Sequence, residues 1–419
     1  MHPSISEQTV PSASLSQSIA AGEEEKPDAS LTSDEIELSI VMPCLNEAET
    51  VGVCVAKAAE WLRSNRVKGE VIVADNGSTD GSQGIAQAAG ARVVGIAPRG
   101  YGSALMGGIE ISRGKFIVMG DADDSYDFSD LGSFVARLRA GADLVQGCRL
   151  PAGGGRVMPG AMPKLHLWWG NPMFSAMGRL WFKAPIHDIY CGLRGFTRDC
   201  YERLGLRSMG MAFATEMIIK ASLFGKKVTE VPIILYRDGR KTRKPHLKTF
   251  RDGWRTLHLF LMYSPRWLFV LPGLLLIALG LVAYALALPG VSLFGSRLDA
   301  HTLLVGSLAI LCGFNSIWFA IMTKLFAATE GMLPADPMLD RLMKVIDTER
   351  GLLAGFVGVL AGLALLLVAV NRWRLVRFGM LDYAAEMRLV IPGATLIALS
   401  FQMILSLFFI DILKLHRKR

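Results

Sequence analysis

Paired cysteines are missing from this chain. Its six cysteines (Cys44, Cys54, Cys148, Cys191, Cys200 and Cys312) lie scattered through 419 residues with no CxxC pair and no zinc-ligand spacing. That pattern excludes a disulfide-stapled secreted scaffold and a zinc module, and it points to a reducing compartment. The first residues lack the basic start and apolar core of a signal peptide. Rich instead in Ser, Thr, Ala and Glu, residues 1–34 read as a disordered tail. A dinucleotide-binding fingerprint is also absent, because Gly100-Tyr101-Gly102 has no third glycine at the required spacing.

Charge of one sign is scarce over most of the chain. The net charge is +8, yet Arg237 to Arg266 alone holds nine basic residues against Asp238 and Asp252, a local +7. This collar ends where an apolar run begins, so it reads as a juxtamembrane segment facing anionic headgroups on the cytoplasmic side. No nucleic-acid partner is expected.

Apolar residues are abundant: 51% of the chain is hydrophobic and the mean hydropathy is +0.36. The excess is concentrated in four runs, about 267–288, 302–323, 351–370 and 389–410. Each has the ~20 residues that carry a helix across ~30 Å of hydrocarbon. A transmembrane domain is therefore expected over 267–413, followed by a basic cytoplasmic tail, 414–419. Four spans bring that tail back to the side of the collar, as the positive-inside rule asks. The loop carrying Arg372, Arg374, Arg377 and Arg388 then falls outside, against the same rule.

Ahead of the membrane, short β-type runs (Leu38 to Met42, Val71 to Ala74, Arg92 to Ile96, Phe116 to Met119, Asp143 to Gln146) alternate with helical patterns such as Glu47 to Arg63 and Tyr101 to Ser112. Strict alternation predicts an α/β domain over 35–245, with a mostly parallel, Rossmann-like sheet covered on both faces. Ligands of such sheets bind beyond the C-terminal strand ends. Between domain and membrane, 246–266 sets Leu247, Phe250, Trp254, Leu257 and Leu261 on one helical face. That is the pattern of a helix lying in the interface, with core packing as the alternative. Leu165 to Phe182, with Trp168, Trp169 and Trp181, carries the same two readings.

Three strand ends carry chemistry. The run Phe116 to Met119 leads into Gly120-Asp121-Ala122-Asp123-Asp124-Ser125-Tyr126-Asp127. Carboxylates at i and i+2 on extended backbone project to one side, so Asp121 and Asp123 can share a hard cation, Mg²⁺ or Mn²⁺, that bridges a diphosphate. An acidic helix-capping turn is the plainer reading. Asp75-Asn76-Gly77-Ser78-Thr79-Asp80-Gly81-Ser82 follows a second strand, as a turn or as a small-residue loop beside a nucleobase. Pro43-Cys44-Leu45-Asn46-Glu47 follows the first.

Taken in this order, the loops resemble those of family 2 glycosyltransferases with the GT-A fold, specifically the polyprenyl-phosphate sugar transferases of the dolichyl-phosphate mannose or glucose synthase type. The resemblance covers about Leu38 to Arg266. It implies that Pro43, Glu47, Asp75 and Asp121 bind the nucleotide and that Asp121 and Asp123 bind the metal. Arg149, in Gly147-Cys148-Arg149, falls near the acceptor or diphosphate. Asp188, in His187-Asp188-Ile189-Tyr190-Cys191-Gly192-Leu193-Arg194, matches the family's acidic residue beside the acceptor. Glu216 either orients the sugar or pairs with a basic neighbour. Arg237, Arg240 and Arg243 match the basic acceptor segment, where guanidinium donors would bind a lipid phosphate; a purely electrostatic anchor would use the same residues.

The activity so implied is inverting transfer of a hexose from a UDP-glucose or GDP-mannose type donor to a polyprenyl phosphate at the cytoplasmic face of the cell membrane, with a homo-oligomer as a possible assembly. Because a phosphate monoester is already anionic at neutral pH, Asp188 is expected to position the acceptor rather than serve as an indispensable base. A processive polysaccharide synthase would need Gln-x-x-Arg-Trp, and Tyr263-Ser264-Pro265-Arg266-Trp267 has Tyr in place of Gln. A nucleotide-binding transport subunit would need more polar groups in the spans than Asn315, Lys324 and Gln402.

Overall fold

The computed structural model describes residues 36–240, 249–293, 296–345 and 347–417. The expected tail 1–34, Arg243 and the last residues of the basic C-terminal tail lie outside them. The N-terminal part runs β1 (Leu38–Cys44), α1 (Val51–Ser64), β2 (Gly69–Asp75), α2 (Ser82–Ala88), β3 (Arg92–Gly95), α3 (Tyr101–Ile111), β4 (Phe116–Met119), α4 (Gly132–Arg139), β5 (Leu144–Cys148), β6 (Arg156–Val157), α5 (Asn171–Phe182), β7 (Arg194–Thr197), α6 (Arg198–Leu204), α7 (Ala212–Leu223), β8 (Val228–Pro232), β9 (Ile234–Leu235) and α8 (Thr249–Tyr263).

The central sheet has the order β3-β2-β1-β4-β7-β5-β8. Every pairing in it is parallel except those of β7, which runs antiparallel between β4 and β5. Alternation along β1 divides the core between the two faces. Leu38, Ile40 and Met42 pack with Val55, Ala58 and Leu62 of α1, while Val41 packs with Leu105 and Ile109 of α3 and Phe213 and Met217 of α7. Both faces being covered, the strands read as nearly continuous apolar runs. The strand order turns back on either side of β1, and the gap between β1 and β4 is the switch point where such sheets bind ligands.

α8 turns one side to the core and the other to the surface, and Leu247 of the expected interfacial face lies outside the described residues. Phe260 and Tyr263 are buried, with Phe260 packed edge-on against Phe174 of α5 at 6.0 Å between ring centroids. On the other side Phe250 is 89% and Trp254 64% exposed. The Leu165 to Phe182 segment divides the same way: Phe174 and Phe182 enter the core, whereas Trp168 and Trp169 are exposed.

The remainder comprises α9 (Leu271–Ala287), α10 (Ala300–Thr329), α11 (Pro337–Val345), α12 (Thr348–Leu375) and α13 (Tyr383–Arg417). Four helical stretches are long and apolar enough to cross a membrane, Arg266–Ala287, Ala300–Thr329, Thr348–Leu375 and Tyr383–Lys414. The shortest, at 22 residues, spans about 33 Å at ~1.5 Å per residue. The helices outrun the apolar runs in the sequence because their polar ends continue past the hydrocarbon without a helix breaker. In lipid, helices associate by close packing of small residues. A Cβ on Gly280 of α9 would stand 2.6 Å from the Gly306 carbonyl oxygen of α10, and one on Gly362 of α12 would stand 2.6 Å from that of Gly393 in α13. Those contacts hold each antiparallel pair backbone to backbone. The bundle touches the sheet domain through the turn after α10, where Met332 and Leu333 join the core cluster of α7 and Arg207 Nη2 donates to the Glu330 carbonyl at 3.1 Å.

Candidate active site

Register alone brings the three strand-end loops together. Cys44 of β1 stands opposite Asp75 of β2, and Val41 stands opposite Met119 of β4. Pro43 sits one step earlier in β1, opposite Ala74. The segments holding Glu47, Asp75 and Asp121 therefore leave the sheet along one edge.

Side chains then stitch the first two loops. Asn46, in the left-handed region at φ 59°, accepts from the Thr79 N–H at 2.7 Å and donates its own N–H to Ser78 Oγ at 2.7 Å. Ser82 Oγ accepts from Glu47 N–H at 2.8 Å and Asp80 from Ala48 N–H at 3.0 Å. Those N–H groups precede α1 and would otherwise lack partners. Asp75 is buried; its carboxylate accepts from Gly77 N–H at 3.1 Å, from Ser78 N–H at 3.1 Å and from Gln83 Nε2 at 2.6 Å, which fixes the turn. Between the loops opens a cleft of about 260 Å³ lined by Asn46, Glu47, Ala48, Glu49, Thr79, Asp80 and Arg240.

Carboxylates crowd this cleft. Arg240 reaches Asp123 at 2.7 Å, Glu47 at 3.2 Å and Asp238 at 3.4 Å. The backbone ahead of Arg240 is tied to the acidic loop, with Gly239 N–H donating to the Asp123 carbonyl at 2.8 Å and Tyr236 N–H to that of Ser125 at 3.0 Å. One guanidinium does not neutralise the group. Burial pushes the Glu47 carboxyl up to about 7, against the pull of Arg240. Burial, with the charge of Asp123, pushes Asp121 up to about 6. Asp121 Oδ1 accepts from the Tyr101 hydroxyl at 2.8 Å. Asp123 Oδ1 accepts from Ser125 Oγ at 2.6 Å, which orients its other oxygen toward Arg240. Among the described residues no three His, Cys, Asp or Glu side chains form a ready cation cage. Two neighbouring carboxylates whose mutual repulsion a cation would relieve nevertheless suit Mg²⁺ or Mn²⁺, which complete their shells from water or phosphate oxygens.

Behind Asp121 the site is closed. Asp188 is fully buried and forms a two-pronged pair with Arg149, Nε to Oδ2 at 2.7 Å and Nη2 to Oδ1 at 2.9 Å. The Arg149 N–H also donates to Oδ2 at 3.1 Å. Glu230 of β8 anchors the turn beneath, accepting from the N–H groups of His187 at 2.7 Å and Asp188 at 3.1 Å and lying 2.8 Å from His187 Nδ1. Gly192 is required by close approach: a Cβ there would stand 2.8 Å from Asp121 Oδ2 and 3.1 Å from the Tyr126 hydroxyl.

Two expected site residues are engaged elsewhere. Glu216, 1% exposed, accepts from the Tyr263 hydroxyl at 2.7 Å and the Ser208 N–H at 2.8 Å, with Lys220 Nζ at 3.8 Å. Its close contacts are thus to α8 and to the turn before α7. Arg237 donates from Nε to the Pro159 carbonyl at 2.5 Å, whereas Arg240 turns into the cleft. Arg240 was expected to bind an acceptor phosphate, and here it bridges carboxylates because they are its nearest anions. Tyr101, Tyr126 and Glu230 carry no sequence signal as site residues. Arg194, buried and donating to the Cys191 carbonyl at 2.6 Å, was visible only as part of the His187 to Phe196 block.

Residues 39–205 match the family model described as glycosyl transferase family 2, and residues 321–414 match the glycosyltransferase family 2 C-terminal transmembrane region. The chain is 37% identical over 330 residues to the low-salt glycan biosynthesis hexosyltransferase Agl6 of Haloferax volcanii, covering 78% of each chain. It is 29% identical over 197 residues to a dolichyl-phosphate hexose transferase of the same organism, covering 47% of this chain and 82% of that one. Among solved structures it is similar to glucosyl-3-phosphoglycerate synthase from Mycobacterium tuberculosis in complex with Mn²⁺, UDP and phosphoglyceric acid, with 20% identity, a TM-score of 0.45, and coverage of 55% of this chain and 79% of that one.

Proposed function

The chain belongs to glycosyltransferase family 2, a multi-pass membrane enzyme resembling the dolichyl-phosphate sugar synthases, and from that premise we propose that it moves a hexose from a nucleotide sugar to a polyprenyl phosphate. The catalytic domain faces the cytoplasm in this reading, on the side of the basic collar.

The observation that carries the choice of acceptor is the Arg149–Asp188 pair. A hydroxyl acceptor must lose a proton as it attacks, which calls for a carboxylate or imidazole free to take it. Asp188 has both oxygens bound to a guanidinium and no exposed surface. An acceptor that arrives as an anion needs no such group, and a lipid phosphate carries roughly 1.5 to 2 negative charges at neutral pH. Asp188 accordingly holds Arg149 in place, and Arg149 orients the incoming phosphate.

The donor nucleoside occupies the cleft of Asn46, Glu47, Thr79 and Asp80, with Pro43 and Asp75 at the base. Bound Mg²⁺ or Mn²⁺, held by Asp121 and Asp123, would neutralise the diphosphate leaving group. Arg240 leaves its carboxylates for the phosphates once that charge arrives. The acceptor oxygen attacks the anomeric carbon as the bond to the nucleoside diphosphate breaks on the opposite side, so configuration inverts. Tyr101 keeps Asp121 aligned, and orientation supplies much of the acceleration. Phe250 and Trp254, exposed beside the first span, set the mouth at headgroup height.

Full-length protein in liposomes, given labelled nucleotide sugars with and without a polyprenyl phosphate, tests the proposal. Label should pass to lipid only when the phosphate lipid is present. Label in a growing polysaccharide, or none in lipid across a panel of donors, would remove it.

A further inference from the structure

The end of the bundle away from the catalytic domain is arginine-rich, on the side where the positive-inside rule disfavours basic residues. Helix direction fixes that end. The chain crosses outward in α9 and α12 and returns in α10 and α13, and Arg388 at the start of α13 meets Asp299 just before α10 at 3.4 Å. Two acidic partners neutralise part of the charge, Asp299 on Arg388 and Glu386 on Arg372 at 3.8 Å. Arg297, Arg374 and Arg377 are exposed and form no ion pair among the described residues.

Arg297 and Arg388 converge on one point. A Cβ on Gly290, itself at φ +73°, would stand 2.6 Å from Arg388 Nη2 and 3.1 Å from Arg297 Nη2. Two guanidinium groups thus close on the Gly290 backbone from two sides, and Asp299 reaches only that of Arg388. The Arg388 Nε is buried and has no hydrogen-bond partner. Like charges held this close at the margin of hydrocarbon repel strongly, and an unpaired buried donor costs its desolvation. An anion bound there relieves both.

The turn after α12 fits the same surface. Arg377 and Phe378 both take left-handed backbone, at φ 51° and 62°, a strained pair for side-chain-bearing residues. Trp373 holds the turn, with Nε1 donating to the Gly379 carbonyl at 3.2 Å and its ring edge-on to Phe378 at 5.0 Å. Leu375, Phe378 and Met380 are left exposed, as apolar anchors at a membrane margin. Arg374 and Arg377 then lie at headgroup height.

We infer that Arg297 and Arg388 form a binding site for the phosphate of an anionic lipid in the leaflet opposite the catalytic domain, with Arg374 and Arg377 on the same end of the bundle. Guanidinium pairs bind phosphate in two-pronged fashion. The site rests on the helix directions and the far-end contacts, and it stands whether or not the proposed transfer reaction does.

Native mass spectrometry of the full chain, released from membranes of phosphatidylcholine with graded phosphatidylglycerol, counts retained anionic lipid. Arg297→Gln, at an exposed position, should fold and lose at least one retained phosphatidylglycerol, with affinity about tenfold weaker. Arg388→Lys guards against a folding defect, keeping the charge on Asp299 while losing the two-pronged geometry, and should weaken binding less. Arg251→Gln with Arg255→Gln, on α8, reports lipids bound at the near leaflet, and its loss should add to that of Arg297→Gln. Equal retention by wild type and Arg297→Gln overturns the inference. Displacement of the lipid by inorganic phosphate at matched concentration also overturns it, because the ligand would then be a soluble anion.

Discussion

The two halves of the active-site edge use the same residue types to opposite effect. On the proposed donor side three carboxylates, Glu47, Asp123 and Asp238, share the guanidinium of Arg240, and among the described residues Asp121 is hydrogen-bonded by a tyrosine hydroxyl. On the acceptor side Asp188 and Arg149 satisfy each other one to one, with Glu230 fixing the turn below. Among the described residues the first half carries surplus negative charge, which the proposed cation would complete. The second is finished before substrate arrives. The proposed binding site for a metal-bound diphosphate and the proposed support for an anionic acceptor would differ in just this way.

The largest effect should follow from breaking the unfinished half. Asp123→Ala removes the proposed metal ligand and should lower kcat/KM about a thousandfold, roughly 4 kcal/mol of transition-state stabilisation, under saturating Mg²⁺ or Mn²⁺. Activity close to wild type would end the metal assignment. Breaking the finished half should act on the fold first. Asp188→Ala strands a buried guanidinium and should cost about 3 kcal/mol in denaturant unfolding, most of which returns when Arg149→Met is added. An unchanged midpoint for the single variant would mean that Arg149 is solvated.

Acidity separates the halves more gently. Burial and the charge of Asp123 hold the Asp121 carboxyl up at about 6 and the proposed cation would bind its ionised form, so Mn²⁺ affinity read by electron paramagnetic resonance should fall up to tenfold per unit below that pH and level off above it. Without a cation the sign for stability is opposite. The fold raises both carboxyls, Glu47 to about 7 and Asp121 to about 6, so their contribution to stability is present at low pH and is lost as pH rises through those values. A metal affinity that rises on acidification would contradict the assignment. The smallest effect belongs to Arg240→Gln, which removes a competing cation and should tighten nucleotide-free metal binding a few-fold in the same titration.

Local patterns made the donor half legible. The strand Phe116 to Met119 was expected with the bounds it has, and the acidic and small-residue loops were read from their place at strand ends. Where α1 begins was not, because Asn46 and Glu47 belong to a turn held by Ser78, Asp80 and Ser82 across the sheet. Contacts between distant segments decided the acceptor half. Glu230 looks like any residue of a Val-Thr-Glu-Val strand until β8 lies next to β5. The antiparallel β7 was hidden inside a motif read for its side chains. In the membrane, hydropathy found all four spans, while the convergence of Arg297 and Arg388 required the helices to be paired.

Chemically matched acceptors test the central claim most directly. Wild-type protein in liposomes is given one accepted nucleotide sugar and either a polyprenyl phosphate or the corresponding free polyprenol. With Asp188 committed to Arg149, transfer should occur to the phosphate and be undetectable to the alcohol. Comparable transfer to the alcohol would show a working general base at this site and contradict the account.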